Sequence, residues 1–311
     1  MIGKDNNKLL LILAFLAIYF VWGTTYYANL LALESIPPFI FSCLRYLTAG
    51  IVLYAWAFFS KMAWPDKKTI WVLSVSGIIM LVGGSGLVVY AEQYIGSGYA
   101  AVVVATEPLW FIVLDRKRWK QYFSNMKIIA GLVIGFAGIA LFSWFTPGSQ
   151  AGDAAANHKL IGTFIVLLSA ILWVLGTLYA SGRVKKESSN IVNSCVQLLA
   201  AGLFSGIIAV YQQEWIGFSL LHVSGRAWGG LAFAILFGSL IAYMAFNWLV
   251  RVQPPAIVST HTYVNPVVAV FVGWLLASEQ IIFKQVIALV IVLAGVMLTQ
   301  TSKAAISGEE P

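Results

Sequence analysis

A strongly apolar segment that occurs twice constrains this chain more than any other feature. SCLRYLTAG, Ser42 to Gly50, returns in the second half as SCVQLLAAG, Ser194 to Gly202. AIYFVWGTTYY, Ala17 to Tyr27, is echoed by AILWVLGTLYA, Ala170 to Ala180. Pro108 and Gly138 have counterparts in Pro266 and Gly295. The chain is a duplicated unit, and a membrane protein built from two related halves tends to place its site between them.

The apolar residues come in long runs rather than amphipathic periods. With 60% hydrophobic and 10% charged residues, the chain lies far from the roughly 25% charged content of soluble domains. A helix needs about 20 apolar residues to cross roughly 30 Å of hydrocarbon. Ten such runs are predicted, at 9–28, 39–59, 70–91, 96–115, 127–145, 160–180, 190–211, 228–250, 256–277 and 281–300. The expected fold is therefore an all-α membrane protein of ten transmembrane helices, two inverted five-helix repeats around a central cavity. The first repeat is expected over 1–148, a connector over 149–159, the second repeat over 160–302 and a cytoplasmic tail over 303–311. The polar, small-residue stretch Thr146 to Lys159 (TPGSQAGDAAANHK) marks the connector. The first run is too long, and lacks the small-x-small site, for a cleaved signal peptide.

Net charge +7 does not point to nucleic acid, because the cations are sorted by side. Of 19 Lys and Arg, only Lys159, Arg226 and Lys284 fall on one side, and Arg45 lies within a span. The rest gather on the other side, which the positive-inside rule makes cytoplasmic. Both termini are then expected inside, in a multi-pass protein of the inner (cytoplasmic) membrane. Five spans per repeat is an odd number, so the second repeat enters from the opposite face. Twin halves related in this way offer two near-equivalent states, one open to each side.

The residues resemble a known family. Val21 to Gly50 (VWGTTYYANLLALESIPPFIFSCLRYLTAG), Glu92 to Trp110, Leu236 to Ile281 and Ala294 to Leu298 together are similar to the EamA-type permeases of the drug/metabolite transporter superfamily. The arginine of the second span, the prolines of the fourth and ninth, and Glu279 after the ninth carry the likeness. The first copy departs from it, with LDRKRWKQ, Leu114 to Gln121, where the family has a glycine-glutamate turn. The resemblance implies ten helices, a central cavity and export of small metabolites, amino acids or related amphiphiles.

Charges deep in lipid are the first functional suspects. Arg45 and Glu107 are expected at similar depth, either as a static ion pair or as groups that meet a substrate carboxylate and an amine or proton. Pro108 and Pro266 remove backbone donors at mid-membrane and are read as hinges beside a cavity, or as packing kinks. His261 and Asn265 share a helix face, either as satisfied structural groups or as cavity lining. Trp22, Tyr26, Trp110, Trp173 and Tyr179, read either as packing or as cavity lining, and Gln197 complete the candidates. Trp64, Trp71, Trp119, Trp144, Trp215 and Trp228 fall near span ends and read as interface anchors. Gly83, Gly84 and the matching pair Gly23 and Gly176 read as close-packing sites.

Cys43 and Cys195 occupy matching places inside spans and read as small buried hydrophobes. No catalytic residue, metal or cofactor is expected: GxSxG, HExxH and nucleotide-binding loops are absent from the sequence. Direct ATP drive by this chain alone is excluded, so the expected partners are a small-molecule substrate, the bilayer and a coupled proton or other ion. The leading function is a secondary transporter working by alternating access. The rivals are an intramembrane lipid- or peptide-modifying enzyme, and a channel or sensor.

Overall fold

The computed structural model describes residues 4–116, 119–145, 152–181, 183–184, 188–253, 258–259, 261–278 and 280–300, and these form helices and no strand. Seven helices are long and apolar enough to cross a membrane: α1 (Lys8–Leu33), α2 (Pro38–Phe59), α3 (Lys67–Ala91), α4 (Ser97–Leu114), α6 (Asn157–Ala180), α7 (Asn190–Tyr211) and α8 (Gly225–Val252). The apolar cores of α5 (Met126–Phe145), α9 (His261–Leu276) and α10 (Phe283–Gln300) are shorter. Proposed anchors Trp64, Trp71, Trp119, Trp144, Trp215 and Trp228 are all exposed.

Most boundaries lie within a few residues of expectation. Two differ for physical reasons. α1 continues to Leu33, because Asn29 is buried and the helix is shielded there by other helices rather than by lipid. Helical conformation before α6 begins at Gly152, inside the stretch expected to be a connector. Its Ala-Ala-Ala run is strongly helix-forming, whatever its small size suggests about loops. Glu279, the 303–311 tail and 146–151 lie outside the described residues.

The inversion is visible in how the twins cross. A Cβ on Gly202 of α7 would meet Leu47 of α2, and one on Gly50 of α2 would meet Leu199 of α7. Residue numbers rise on one helix as they fall on the other, so the pair is antiparallel. Leu47 and Leu199, like Gly50 and Gly202, are repeat equivalents, so the crossing maps onto itself. α5 and α10 repeat the pattern, with Gly138 against Val292 and Gly295 against Gly135. Equivalent helices that cross antiparallel require a twofold axis perpendicular to them, hence in the plane of a membrane. The remaining contacts obey it: α1 packs on α8 and α9, as α6 packs on α3 and α4.

Lys61 after α2 and Gln213 after α7 both take left-handed conformations, at φ 51° and 58°. The next residues, Met62 and Glu214, donate their N–H groups to Ala57 and Ala209 carbonyls in the same capping motif. The twins then diverge. Met62 Sδ accepts from Ser189 at the start of α7, whereas the Glu214 carboxylate accepts from the N–H groups of Phe39 (3.0 Å) and Ile40 (2.9 Å) at the start of α2. Partial burial pushes this carboxyl up, and the two N–H groups draw it back. Glu214→Ala leaves both donors unpaired and is expected to cost about 1 kcal/mol, by analogy with loss of a helix cap. A lower melting temperature in detergent, with most of it restored by Glu214→Gln, is the outcome to look for.

Candidate functional site

Three widened turns shape the centre. α1 turns π-helical over Ala17–Val21, α3 over Ile78–Gly86 and α8 over Ala234–Ala242. The last two occupy equivalent places in the two repeats. Widened turns release carbonyls from the regular helical ladder and recur at functional sites. Here side chains take up the backbone and side-chain acceptors of those turns. Tyr46 donates to Leu81 O of α3 (3.1 Å), and Trp22 Nε1 donates to Gly238 O of α8 (3.3 Å). Arg45 Nε donates to Ser239 Oγ of α8 (2.9 Å), and its guanidinium lies 5.3 Å from the centroid of the Tyr46 ring.

The two prolines act unequally. Pro108 breaks α4 into Ser97–Val104 and Glu107–Leu114. At the break, Thr106 donates to Val103 O (2.8 Å) and accepts from Trp110 Nε1 (3.1 Å). Pro266 sits inside a helix that continues past it.

Two cavities follow. The central one, about 80 Å³, is lined by Trp22, Tyr26, Arg45, Glu107, Trp173, His261 and Asn265, so seven of the predicted residues share it. Beneath it, toward the end of the bundle where Arg183 and Arg251 lie, is a vestibule of about 370 Å³. Gln197 belongs to this vestibule, where it joins an amide cluster. Its Nε2 donates to Ser76 Oγ (3.0 Å), and its Oε1 accepts from Asn247 Nδ2 (2.9 Å). Asn247 also donates to Ser194 (2.9 Å).

Trp22, Trp173, His261 and Phe246 form the partition between the cavities. Their ring centroids lie 5.1–5.6 Å apart for Trp22 with His261, Phe246 and Trp173, and 5.4 Å for Trp173 with Phe246. Phe246 faces the vestibule, while the other three line the central cavity.

Arg45 and Glu107 are both buried, yet no ion pair joins them among the described residues. Oε1 of Glu107, Nε1 of Trp173 and Oδ1 of Asn29 are buried without hydrogen-bond partners. All three residues line the central cavity. Buried polar groups of this kind are expensive unless something meets them. Trp110 and Tyr179 line neither cavity. Trp110 turns toward Phe136 of α5, and Tyr179 stacks under Arg183, 4.7 Å from its guanidinium.

Asn265 is tied to the backbone. With its amide nitrogen turned toward α1, the orientation that satisfies both ends of the group, it donates to Ile18 O (3.0 Å), Tyr19 O (2.7 Å) and His261 O (3.1 Å). His261 Nδ1 bonds Val258 O (3.0 Å). Sequence reasoning missed Ser239, Phe246, Asn247 and Asn29. Asn247, an amide amid apolar neighbours in a span, carried a usable signal; Phe246 carried none.

The twin interfaces differ in closure. α9 is docked on α1: a Cβ on Gly23 would meet Val268 and Asn265 O, and Tyr27 OH donates to Leu276 O (3.3 Å). In the matching pair, Gly176 of α6 faces Met80 and Ser76 of α3 instead. α4 meets α6 at the other end, where Tyr99 OH bonds Thr163 Oγ1 (2.9 Å). Glu107–Leu114 of α4 also packs on α6, and at the vestibule Phe111 of α4 and Thr177 and Ser181 of α6 line the cavity that opens between their ends.

The sequence model of the EamA-like transporter family matches twice, over residues 9–144 and 160–301. The chain is 32% identical to the uncharacterized inner membrane transporter YedA of Escherichia coli strain K12, over 93% of this chain and 90% of that one. It is 25% identical to the uncharacterized transporters sll0355 of Synechocystis (95% and 91% covered) and YvbV of Bacillus subtilis (96% and 94% covered). A protein crystal structure with 17% identity superposes with a TM-score of 0.64, covering 93% of this chain and 96% of the other, and so shares the fold.

Proposed function

Because the chain belongs to the EamA-like transporter family, and is a membrane transporter on that account, we propose that it is a secondary transporter working by alternating access. It carries small organic metabolites, amino acids or related amphiphiles, out of the cytoplasm. The unequal closure of two equivalent interfaces supports this reading above all. α1–α9 is sealed, whereas the vestibule opens between the ends of α4 and α6. Exchanging those roles about the twofold axis closes the vestibule and opens the opposite end. The two states are built from nearly the same contacts, so a modest bias from cargo or ion shifts the population.

The Lys- and Arg-rich end faces the cytoplasm under the positive-inside rule, with both termini there. The described state is then open inward. The vestibule's size falls in the range that takes small organic ligands. Its amides bind polar groups without demanding charge. The aromatic partition presents π faces, and behind it lie the Arg45 guanidinium, the Glu107 carboxyl and the Trp173 N–H. A small molecule with an apolar body and one or both charges fits that order. Pro108 is the hinge at which α4 swings.

Counterflow in proteoliposomes tests the reading. Vesicles preloaded with unlabelled amino acids, and then with small organic cations, are expected to accumulate the matching labelled compound transiently and saturably. Current that rises without saturation would make the protein a channel. Recovery of a chemically altered ligand would make it an enzyme.

A further inference from the structure

Asn265-Pro266 of α9 and Glu107-Pro108 of α4 occupy equivalent places, yet only Asn265 has found acceptors. Its amide docks α9 onto carbonyls of Ile18 and Tyr19, in the widened turn of α1. The repeat correspondence that matches Ala17–Tyr27 with Ala170–Ala180 makes Ile171 and Leu172 of α6 the mirror carbonyls. α6 is a regular α-helix there, and Oε1 of Glu107 is buried with no hydrogen-bond partner. A carboxylate has only acceptor oxygens, as carbonyls do, so the ionised side chain repeats none of Asn265's bonds. The acid form carries one O–H and makes one of them.

We infer that Glu107 is a proton-operated latch between α4 and α6. With a proton on its carboxyl, α4 docks on α6 as α9 docks on α1, the vestibule closes, and the state open at the opposite end is populated. Without it, two acceptors face each other and the dock fails. The coupling ion is thereby a proton, taken up by a fixed residue as the carrier changes state. The inference rests on the alternating-access reading above.

Tyr26 of α1, Arg45 of α2 and His261 of α9 line the same cavity as Glu107, and α6 contributes Ser169 and Trp173. Glu92, just past α3, lies within electrostatic reach of Tyr26 and Arg45. Other titratable groups on elements packed against α4 lie apart from Glu107. Lys159 of α6 and Lys284 of α10 sit over the rings of Tyr99 and Phe145. His158 sits beside Tyr94. Lys120 and Tyr122 belong to the short helix Trp119–Phe123, and Lys127 to the start of α5. Arg45 directs its Nε to Ser239 rather than to Glu107. Glu107 is the one position among these whose twin makes the docking bond.

Spin labels on Arg116→Cys and Ser181→Cys, at the parted ends of α4 and α6, read the latch directly in full-length protein with Cys43 and Cys195 changed to alanine. Acidification is expected to shift the distance distribution from long to short. Glu107→Gln, always a donor, stays short at every pH, and Glu107→Ala stays long. Asn265→Asp is the second arm and does not depend on Glu107 variants folding. With labels moved to Glu34 and Ser278, it is expected to make the α1–α9 end part as pH rises, where the parent protein shows no response. A wild-type pH response that survives in Glu107→Gln overturns the latch. So does counterflow accompanied by one pH-independent distribution. Absence of counterflow together with a single distribution removes the transporter reading itself, and the latch with it.

Discussion

Gly295→Val prevents α5 and α10 from assembling, and little monodisperse protein is expected in detergent. A Cβ at Gly295 meets Gly135 N, Gly135 Cα at 2.6 Å and Gly131 O at 2.8 Å, all backbone atoms. No side chain is present to rotate away, because the facing residues are themselves glycines. Overpacking a core costs about 1–3 kcal/mol when neighbours can adjust, and here the helices themselves must separate. In a bilayer, close packing is much of what holds helices together, so the loss falls on the crossing as a whole. Gly50→Ala and Gly202→Ala are milder tests, because flexible Leu199 and Leu47 side chains lie among their contacts. Gly229→Ala, with nothing within 4 Å, is the neutral control. Size-exclusion profiles and melting temperatures decide, and a wild-type profile for Gly295→Val would mean that α5 and α10 do not cross at this point.

Arg45→Ala is expected to lower transport by about 10–100-fold, the size that follows from losing one charge-assisted hydrogen bond of about 1.5–3 kcal/mol. The side chain is buried, its Nε is held by Ser239, and the rest of the guanidinium borders the central cavity. On the proposed reading, Ser239 holds the charge toward the cargo. Arg45→Lys keeps the charge but loses the planar fork and the tie to Ser239, so an intermediate rate is expected. Arg45→Met keeps most of the bulk without the charge. Comparable initial rates for Met and Arg, at matched protein levels, would make Arg45 a packing residue and nothing more.

The duplication and the helical spans were legible from sequence because they depend on local composition and on repeats, and seven of the ten candidate residues line the central cavity. Arg45 and Glu107 stood out because charge in lipid is costly wherever the chain goes. Their relation was not legible, since two residues at equal depth still differ in azimuth around the bundle. Asn265 shows the same boundary. Its helix face was readable from spacing to His261, but its acceptors come from a widened turn in α1, and nothing in AIYFV announces one. Gln197 was placed in a cavity, yet its partner Asn247 lies on another helix of the same repeat. Trp110 and Tyr179 sit beside a proline and a glycine as cavity residues do, and tertiary packing turned them to Phe136 and Arg183. Glu214 drew no notice in a loop, because its role exists only when α7 ends beside the start of α2.

The self-mapping crossing of α2 and α7 bears on ancestry. In a forerunner with a single repeat, two copies inserted in opposite senses would have met there, and any change at the Leu47 position would have struck the dimer twice. Fusion into one gene frees each copy to drift alone. The difference between Glu107 and Asn265 is what such freedom permits: one descendant keeps a fixed clasp while the other acquires a chargeable one.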